Sequence, residues 1–244
     1  KAVRGMRDIL PAQSSRWHQV EACIGQVMRN YSYAEIRLPL LEYTDLFARG
    51  VGEATDIVEK EMYSLADRDG DSLSLRPEGT ASCVRALEEH GLLYNQTQRV
   101  FYNGPMFRYE KPQKGRYRQF SQIGAEAFGF AGPDLDAELI QLGYSAWQQL
   151  GIEDRVQLQL NTLGSSAARS AFRDALVEYL HPLAGDLDED SQRRLTSNPM
   201  RILDSKAPNT QALLADAPRL LDFVDEAGLE HFQQLQQLLQ QLGI

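Results

Sequence analysis

The fold of this 244-residue chain is indicated most clearly by residues 107–129, which read FRYEKPQKGRYRQFSQIGAEAFG. After residue 115 the side chains alternate strictly between two sets, and alternate residues of a strand point to opposite faces of a sheet. Residues 111–115, KPQKG, interrupt the pattern with the turn-forming residues Pro and Gly. The stretch therefore predicts a β-hairpin with its loop at residues 111–115.

One face of the predicted hairpin would collect side chains that suit a polar ligand. Its members are two arginines, two glutamates, a glutamine and a phenylalanine: Arg108, Glu110, Arg116, Phe120, Gln122 and Glu126. Charged groups make a poor protein core but a good floor for a nucleotide and a small polar substrate. A strand with one polar face is also common where a half-buried sheet faces water, so a solvated face is the alternative interpretation.

The order of these residues resembles motif 2 of the class II aminoacyl-tRNA synthetases, which has the form F-R-x-E, a variable loop and R-x-x-x-F. Here the motif reads Phe107-Arg108-Tyr109-Glu110 and then Arg116 to Phe120. The fuller form GRYRQF, followed by Q-x-x-x-E, is similar to the bacterial histidyl-tRNA synthetases. The resemblance covers essentially the whole chain, beginning at VRGMRD (residues 3–8). It implies an α+β fold with a class II synthetase-like antiparallel sheet flanked by helices, and with a small all-helical insertion module.

The composition is that of an ordinary globular protein, with 43% hydrophobic and 24% charged residues. No apolar run approaches the ~20 residues of a membrane helix, and the N-terminus shows no hydrophobic signal core, so we expect no membrane partner. Cys23 and Cys83 are isolated, which favours free thiols and a cytoplasmic location. The net charge of −9 argues against general RNA binding, although residues 99–118 contain six basic side chains and one acid.

Apolar residues at helical spacing predict seven helices. They cover residues 11–31, 81–89, 134–150, 166–180, 187–197, 211–215 and 229–242. Thr80 is predicted as the N-cap of the second helix. Besides the hairpin, strands are predicted at residues 35–42, 62–65, 72–75 and 155–160. Pro39 interrupts the first of these, which predicts an edge strand or a bent strand.

Two domains are expected. Residues 1–164 are interpreted as the N-terminal part of a class II catalytic domain that contains motifs 1 and 2, and residues 165–244 as a helical insertion domain. After residue 164 short helical segments are separated by prolines. The chain contains no G-x-x-x-x-G-K-[ST] sequence, which excludes a P-loop ATP site. Short hairpins without regular βαβ alternation favour an antiparallel α+β sheet.

The resemblance implies a histidine–tRNA ligase that activates L-histidine with ATP and Mg²⁺, transfers it to tRNA(His) and needs no prosthetic group. The implied catalytic residue is Arg108. The implied histidine-binding residues are Glu78, Gly79, Thr80, Arg108, Gln122 and Glu126. The implied ATP-binding residues are Arg108, Glu110, Arg116 and Phe120. Lys111 and Lys114 are candidates for contact with the tRNA acceptor stem, and Pro39 for a homodimer interface, whereas no magnesium ligand is predicted.

Two other functions are left open. One is the regulatory subunit of ATP phosphoribosyltransferase, a synthetase-like protein that binds histidine without charging tRNA. The complete set of Arg108, Glu110, Arg116 and Phe120 favours a ligase, since a regulator that does not catalyse needs no ATP-binding surface. The other is a non-catalytic RNA-binding module, against which the net charge and the acids of the predicted face argue. The family continues into a histidine motif, motif 3 and an anticodon-binding domain that this chain lacks, so we expect an inactive fragment.

Overall fold

A computed structural model describes residues 1–51, 55 and 57–244. Helices α1 to α8 cover Pro11–Asn30, Thr44–Val51, Thr80–Glu89, Pro133–Leu150, Ser166–Leu180, Glu189–Ser197, Pro208–Leu214 and Glu226–Gln241. Strands β1 to β6 cover Ala34–Glu35, Leu41–Tyr43, Tyr63–Ala66, Ser72–Leu75, Gln98–Phe107 and Gln119–Phe128. The seven predicted helices are all present, with bounds that differ from prediction by at most three residues, and α2 is an additional helix.

The larger sheet is built on the predicted hairpin. β5 and β6 pair antiparallel along their whole length, from Gln98 opposite Phe128 to Phe107 opposite Gln119. β1 joins the other side of β5 in parallel, so this pair departs from the predicted antiparallel pattern. The resulting order, β1-β5-β6, places β5 in the centre, where side chains on both of its faces can be buried.

Helices cover both faces of this sheet because β5 carries apolar side chains that point to each face. On one face Phe101 packs against a cluster from α1 and α4 that includes Met28 and Leu142. On the opposite face Tyr102 and its strand neighbours pack against Leu87 of α3. Complete burial of one large apolar side chain contributes about 1.5–3 kcal/mol, so these two layers fix the position of β5.

The polar face predicted for the hairpin is therefore only partly open. Phe120 packs against the core cluster beneath α3 and is half-buried, so only part of its ring remains accessible. Arg108, Glu110 and Arg116 lie in the loop between the strands and not on the strands, contrary to the predicted alternation. The regular ladder ends at Phe107 opposite Gln119, and a separate tight turn between Gln113 and Arg116 contains Gly115 with a φ of +82°.

The smaller sheet has the order β2-β4-β3, and a buried serine lies at the centre of its polar face. The hydroxyl of Ser74, which is fully buried, lies 2.7 Å from that of Ser64 and 2.9 Å from that of Thr44. By register, the other face carries Leu41, Tyr43, Tyr63, Leu65, Leu73 and Leu75. We call these six residues the apolar face of the small sheet. Leu41, Leu65 and Tyr43 on this face are 42%, 46% and 62% exposed.

Two predicted strands differ from the structure. The segment at residues 35–42 is not one strand: it divides around Pro39 into β1 and β2, which belong to different sheets. Proline has no N–H to donate to a ladder, so the division falls where pairing is impossible. The second, at residues 155–160, begins in a 3₁₀ turn and pairs with no strand of the described chain. Alternation alone does not make a strand, because the backbone needs a hydrogen-bonding partner.

The chain divides into two compact units, residues 1–131 with 138–156, and residues 132–137 with 157–244. From residue 157 to residue 244, all of which are described, the regular structure is entirely helical. The core of this helical unit contains Phe172, Leu176, Leu180, Leu187, Leu195 and Ile202. The assignment of the two units to a catalytic domain and an insertion stays a prediction.

Asp188 organises the helical unit. Its carboxylate accepts hydrogen bonds from the hydroxyls of Ser191 (2.6 Å), Ser205 (2.8 Å) and Thr210 (2.8 Å), and from the backbone N–H of Ser191 (3.0 Å). These bonds, those of Ser191 and Ser205 foremost, hold the pKa of Asp188 well below its usual value. Asp188 is also the N-cap of α6, so one charge joins three segments of this unit.

Candidate active site

The turn that leads into α3 presents Glu78 and Thr80. Glu78 accepts hydrogen bonds from the backbone N–H groups of Thr80 (2.5 Å) and Ala81 (2.9 Å). The prediction that Thr80 is the N-cap is wrong, because Gly79 occupies that position and the Glu78 carboxylate satisfies the free N–H groups. A carboxylate here is also favoured by the helix dipole. The Thr80 hydroxyl is thereby available for a contact elsewhere.

That contact is with Glu126 of β6. The Thr80 hydroxyl donates to Glu126 Oε1 over 2.6 Å, and the Tyr102 hydroxyl donates to the same oxygen over 3.4 Å. Burial, together with the negative charges of Glu126 and Glu78, raises the pKa of Tyr102 to about 12, so its hydroxyl remains a donor at neutral pH. Within the described part of the chain, Glu126 Oε2 accepts no hydrogen bond. One carboxylate oxygen is therefore held in place while the other is open to a ligand.

Two glycines make room for the Tyr102 ring. A Cβ atom added at Gly79 or at Gly124 would approach the ring to within 2.3 Å, closer than real Cβ atoms come to other atoms. Gly79 belongs to the turn before α3, and Gly124 is the residue opposite Tyr102 on β6. The ring thus occupies the space between the turn and the strand and sets their separation.

Arg108 follows the end of β5 and reaches the same turn. Its Nε donates to the carbonyl oxygen of Pro77 over 2.9 Å, and its guanidinium carbon lies 5.2 Å from the centre of the Phe120 ring. No described residue accepts a hydrogen bond from its Nη1 or Nη2. A guanidinium is planar and always charged, so the two free nitrogens can hold a carboxylate or a phosphate in a fixed orientation.

Glu110 and Arg116 are paired with each other. Arg116 Nη1 lies 3.3 Å from Glu110 Oε2, and the Arg116 side chain is 66% exposed whereas that of Glu110 is 17% exposed. The sequence predicted separate nucleotide contacts for the two residues. In the ligand-free chain they neutralise one another, and an exposed pair of this kind contributes at most about 1 kcal/mol, so a ligand can separate them readily.

Arg118, which the sequence did not single out as a site residue, closes the base of the loop. Its guanidinium lies 3.6 Å from the centre of the Tyr109 ring, and its Nε donates to the Glu110 carbonyl oxygen over 3.0 Å. Its backbone N–H donates to the carbonyl oxygen of Gly5 over 2.7 Å. Gly5 has a φ of +83° and no room for a Cβ atom beside the Arg118 side chain. The N-terminal segment is thereby fastened to the loop.

The remaining predicted residues are more peripheral. Gln122 shares a face of β6 with Glu126, since the two are four residues apart on one strand. Lys111 and Lys114 are exposed in the loop between β5 and β6. Pro39 lies between β1 and β2, and its carbonyl oxygen accepts a hydrogen bond from the buried Arg76 over 3.4 Å.

A cleft of about 510 Å³ lies between α2 and α3. Its lining consists of Leu46, Arg49, Gly50, Glu78, Thr80, Ala81, Val84, Arg85 and Glu88. The cleft includes the turn residues Glu78 and Thr80, whereas Arg108 and Glu126 do not line it. Arg108 and Glu126 of the predicted site are partly buried and lie outside the lining of this cleft.

Across the described residues, no three His, Cys, Asp or Glu side chains come close enough together to hold a metal ion. No helix among them combines the length and the hydropathy needed to cross a membrane.

Comparisons with known proteins show which family this chain resembles. A sequence model described as histidyl-tRNA synthetase matches residues 5–242. The histidine–tRNA ligase of Marinomonas sp. (strain MWYL1) is 60% identical over all 244 residues, which make up 58% of that protein. The crystal structure of apo S. aureus histidyl-tRNA synthetase superposes with a TM-score of 0.77 at 38% identity, over the whole chain and 55% of that protein. A Bacillus halodurans ATP phosphoribosyltransferase regulatory subunit/histidyl-tRNA synthetase (TM-score 0.64, 21% identity, whole chain and 65% of that protein) shows likeness of fold alone.

Proposed function

Since the chain belongs to the histidyl-tRNA synthetase family, we propose that it carries part of the adenylation site of a histidine–tRNA ligase. The chain spans about 58% of the length of the Marinomonas ligase, so the activity proposed is that of a longer protein of this kind. The observation that carries the proposal is that one turn is bonded to two distant segments: Arg108 donates to Pro77 in this turn, and Thr80 at its end donates to Glu126 of β6.

In the proposed reaction a histidine carboxylate oxygen attacks the α-phosphorus of ATP. A carboxyl-oxygen–phosphorus bond forms, and the bond from the α-phosphorus to the bridging oxygen breaks, with pyrophosphate leaving. A ribose hydroxyl of the tRNA end then attacks the histidyl carbonyl, and AMP leaves. Chemistry of this type needs alignment and charge neutralisation more than a protein nucleophile.

Arg108 is the catalytic residue of this proposal. With its Nε fixed on the Pro77 carbonyl, its two free nitrogens are the ones that would bridge the α-phosphate and the attacking carboxylate. Two anions that react repel each other, and one bidentate cation between them removes that repulsion.

Histidine would be held at both ends. The turn of Glu78, Gly79 and Thr80 offers a carboxylate and a hydroxyl, acceptors that match the three N–H donors of an ammonium group. Glu126, with Gln122 on the same strand face, would accept from the imidazole N–H through the free Oε2. The bond from Thr80 to Glu126 connects the two ends before the ligand arrives.

ATP, with Mg²⁺ as its counter-ion, is the second substrate proposed. Phe120 would stack on adenine, Glu110 would accept from the adenine amino group and Arg116 would meet the γ-phosphate. This requires that the Glu110–Arg116 pair separate, which is inexpensive for an exposed pair. Lys111 and Lys114 on the same loop are exposed and would meet phosphates of the tRNA acceptor stem.

A homodimer is part of the proposal, through the segment that contains Pro39. The support is the apolar face of the small sheet, to which β2 contributes Leu41 and Tyr43 directly after that segment. A contiguous apolar surface of this kind usually marks an interface, and a second copy of the same chain is its commonest partner. A cytoplasmic location is also proposed, because Cys23 and Cys83 are both unpaired.

The test is ATP–pyrophosphate exchange by the protein produced from its complete gene. Exchange that depends on L-histidine, and not on other amino acids, is the expected result. Histidine binding without exchange would overturn the proposal and would favour a regulatory subunit. If the protein neither binds histidine nor shows exchange, the proposal of a histidine site is wrong.

A further inference from the structure

Arg76 is a buried cation that none of the roles above uses. It is 3% exposed, and the hydrogen bonds of its side chain run to backbone carbonyl oxygens. Its Nε donates to Pro105 (3.0 Å), and its Nη1 donates to Leu38 (3.0 Å) and Pro39 (3.4 Å). Burial lowers the pKa of Arg76 from its ordinary value. A charge buried at such cost, and bonded in these contacts to neutral groups, calls for an explanation.

The backbone of Arg76 is fastened to the same two regions. Its N–H donates to the Leu40 carbonyl oxygen over 2.9 Å, and its own carbonyl oxygen accepts from the Phe107 N–H over 3.0 Å. Side chain and backbone together therefore join residues 38–40, between β1 and β2, to the end of β5. This residue connects the two sheets of its unit through five hydrogen bonds.

The proposed adenylation site begins at the very next residue. The Pro77 carbonyl oxygen accepts from Arg108 Nε, and Phe107, which Arg76 holds, immediately precedes Arg108. Glu78 and Thr80 follow in the same turn. Any displacement of Arg76 would shift Arg108 and the turn relative to Glu126, which is held separately on β6.

We propose that Arg76 is a positioning residue for the adenylation site, one that fixes Arg108 and the ammonium-binding turn against the segment of Pro39. This inference rests on the proposed function. It assigns Arg76 no contact with substrate. It also predicts that a substitution that disturbs the contacts of Arg76 displaces both the segment of Pro39 and the proposed histidine-binding residues.

A guanidinium is suited to this joint for a geometric reason. Its nitrogens form a rigid, planar fork that can reach carbonyl oxygens on different segments at once, whereas the ammonium of lysine is a single point. Gly104 of β5, which precedes the Arg76 partner Pro105, leaves the necessary space, since an added Cβ atom there would lie 2.4 Å from Arg76 Nη2. The contacts of Arg76 can therefore be disturbed in two ways. Replacing Arg76 removes hydrogen-bond donors, and adding a Cβ atom at Gly104 crowds the guanidinium.

The experiment compares three variants of the protein produced from its complete gene. Arg76→Lys keeps the charge and removes the fork. Gly104→Ala keeps every donor and pushes against Nη2. Arg99→Lys is the matched control: Arg99 is also on β5 and loses a two-point pair with Glu138, but it has no contact with the turn. Pyrophosphate exchange gives kcat and the KM values for histidine and ATP, and circular dichroism gives the melting temperature.

Arg76→Lys and Gly104→Ala are expected to raise the histidine KM and lower kcat, together about 10- to 100-fold in kcat/KM for histidine, since misplacement by about 1 Å costs that order. The ATP KM should change less, because Arg108 is the one proposed ATP contact that adjoins the partners of Arg76, whereas Phe120, Glu110 and Arg116 have no hydrogen bond to Arg76 among the described contacts. Arg99→Lys should lower the melting temperature without changing the ratio of the two KM values.

Equal changes in both KM values, an unchanged histidine kcat/KM in a folded Arg76→Lys protein, or failure of both variants to fold would each overturn the inference and leave Arg76 a core residue. Absence of exchange in the unsubstituted protein would instead overturn the proposed function, so the two failures are distinguishable.

Discussion

Thr80 donates its hydroxyl proton to Glu126 Oε1 over 2.6 Å, which ties the first residue of α3 to β6. In the proposed site these residues meet opposite ends of histidine, the ammonium and the imidazole. The carboxylate is thus oriented before the ligand binds, and the entropy of ordering its side chain is already lost. Preorganisation of this kind increases affinity without an additional contact.

Glu126→Gln is expected to weaken histidine much more than ATP. The substitution keeps the shape but removes the negative acceptor for the imidazole N–H, and a hydrogen bond to a charged group contributes about 1.5–3 kcal/mol, roughly 10- to 100-fold in affinity. The KM values for histidine and ATP in pyrophosphate exchange measure the effect. Glu89→Gln, at the exposed end of α3, is the control and should change neither value. Equal increases in both KM values would place Glu126 outside the histidine pocket.

Arg108→Ala is expected to abolish adenylate formation while the protein stays folded. Loss of one preorganised charged group at a reacting centre typically costs about 10²–10³ in rate. Quenched-flow measurement of adenylate, beside the melting temperature, separates chemistry from folding. Arg37→Ala removes an arginine whose side chain is 87% exposed and should leave the rate unchanged. Near-normal adenylate formation by folded Arg108→Ala protein would remove Arg108 from the mechanism.

The protein is expected to be a dimer that a charge on the apolar face of the small sheet disrupts. Tyr43→Asp places a carboxylate on this face, and burial of an unpaired charge costs several kcal/mol. Light scattering at micromolar concentration should change from dimer mass to monomer mass. Tyr94→Asp alters a tyrosine that is 79% exposed outside the small sheet and should leave the dimer intact. A monomer mass for the unsubstituted protein would refute the assignment of this interface.

Much of this architecture could be predicted because local patterns determine it. The hairpin at β5 and β6 and seven helices follow from alternation and helical spacing. What the sequence could not show is pairing between distant segments. Residues 155–160 alternate like a strand yet pair with no strand of the described chain. Thr80 is a good N-cap by residue type, but its hydroxyl donates to Glu126, while the Glu78 carboxylate accepts from the helix N–H groups.

The same limit explains the site residues that were missed. Tyr102 lies on β5 among apolar neighbours and looks like core, and its contact with Glu126 depends on the register of the hairpin. A signal was present nonetheless, since Gly104 and Gly124 interrupt otherwise regular strands, and glycine inside a strand often marks close approach of another group.

Asp188→Asn is expected to destabilise the helical unit at neutral pH and less in acid. The pKa of Asp188 is depressed in the folded protein, so its stabilisation is present above its ordinary pKa of 3.8 and is lost as the pH falls below that value. Urea unfolding of both proteins, followed by circular dichroism at about pH 7 and at about pH 3, should show a difference between the two midpoints that is smaller in acid. Asp190→Asn, an exposed change in α6, is the control. A difference of the same size at both pH values would show that the charge is not responsible.

The polypeptide Lys1–Ile244 produced alone is expected to show no histidine-dependent pyrophosphate exchange. Arg108 and Glu126 do not line the cleft between α2 and α3, whereas sites that bind small molecules bury about 70–90% of the ligand, so further walls are needed around them. Exchange by this polypeptide and by the product of the complete gene should be compared at equal concentration, with circular dichroism as the check on folding. Comparable turnover would mean that the residues described here suffice.

The Tyr102 ring, enclosed between Gly79 and Gly124, has a consequence for redesign of substrate choice. In the proposed amino-acid site, this one aromatic ring sets the spacing between the turn before α3 and β6, so substitutions at Gln122 or Glu126 alone should leave that spacing unchanged. A library of variants at Gln122 or Glu126, with residues 79, 102 and 124 unchanged, would select amino acids of different side-chain chemistry but of one side-chain length. Acceptance of a longer or shorter amino acid would require coordinated replacement of the ring and its flanking glycines, a step that single mutations cannot reach gradually.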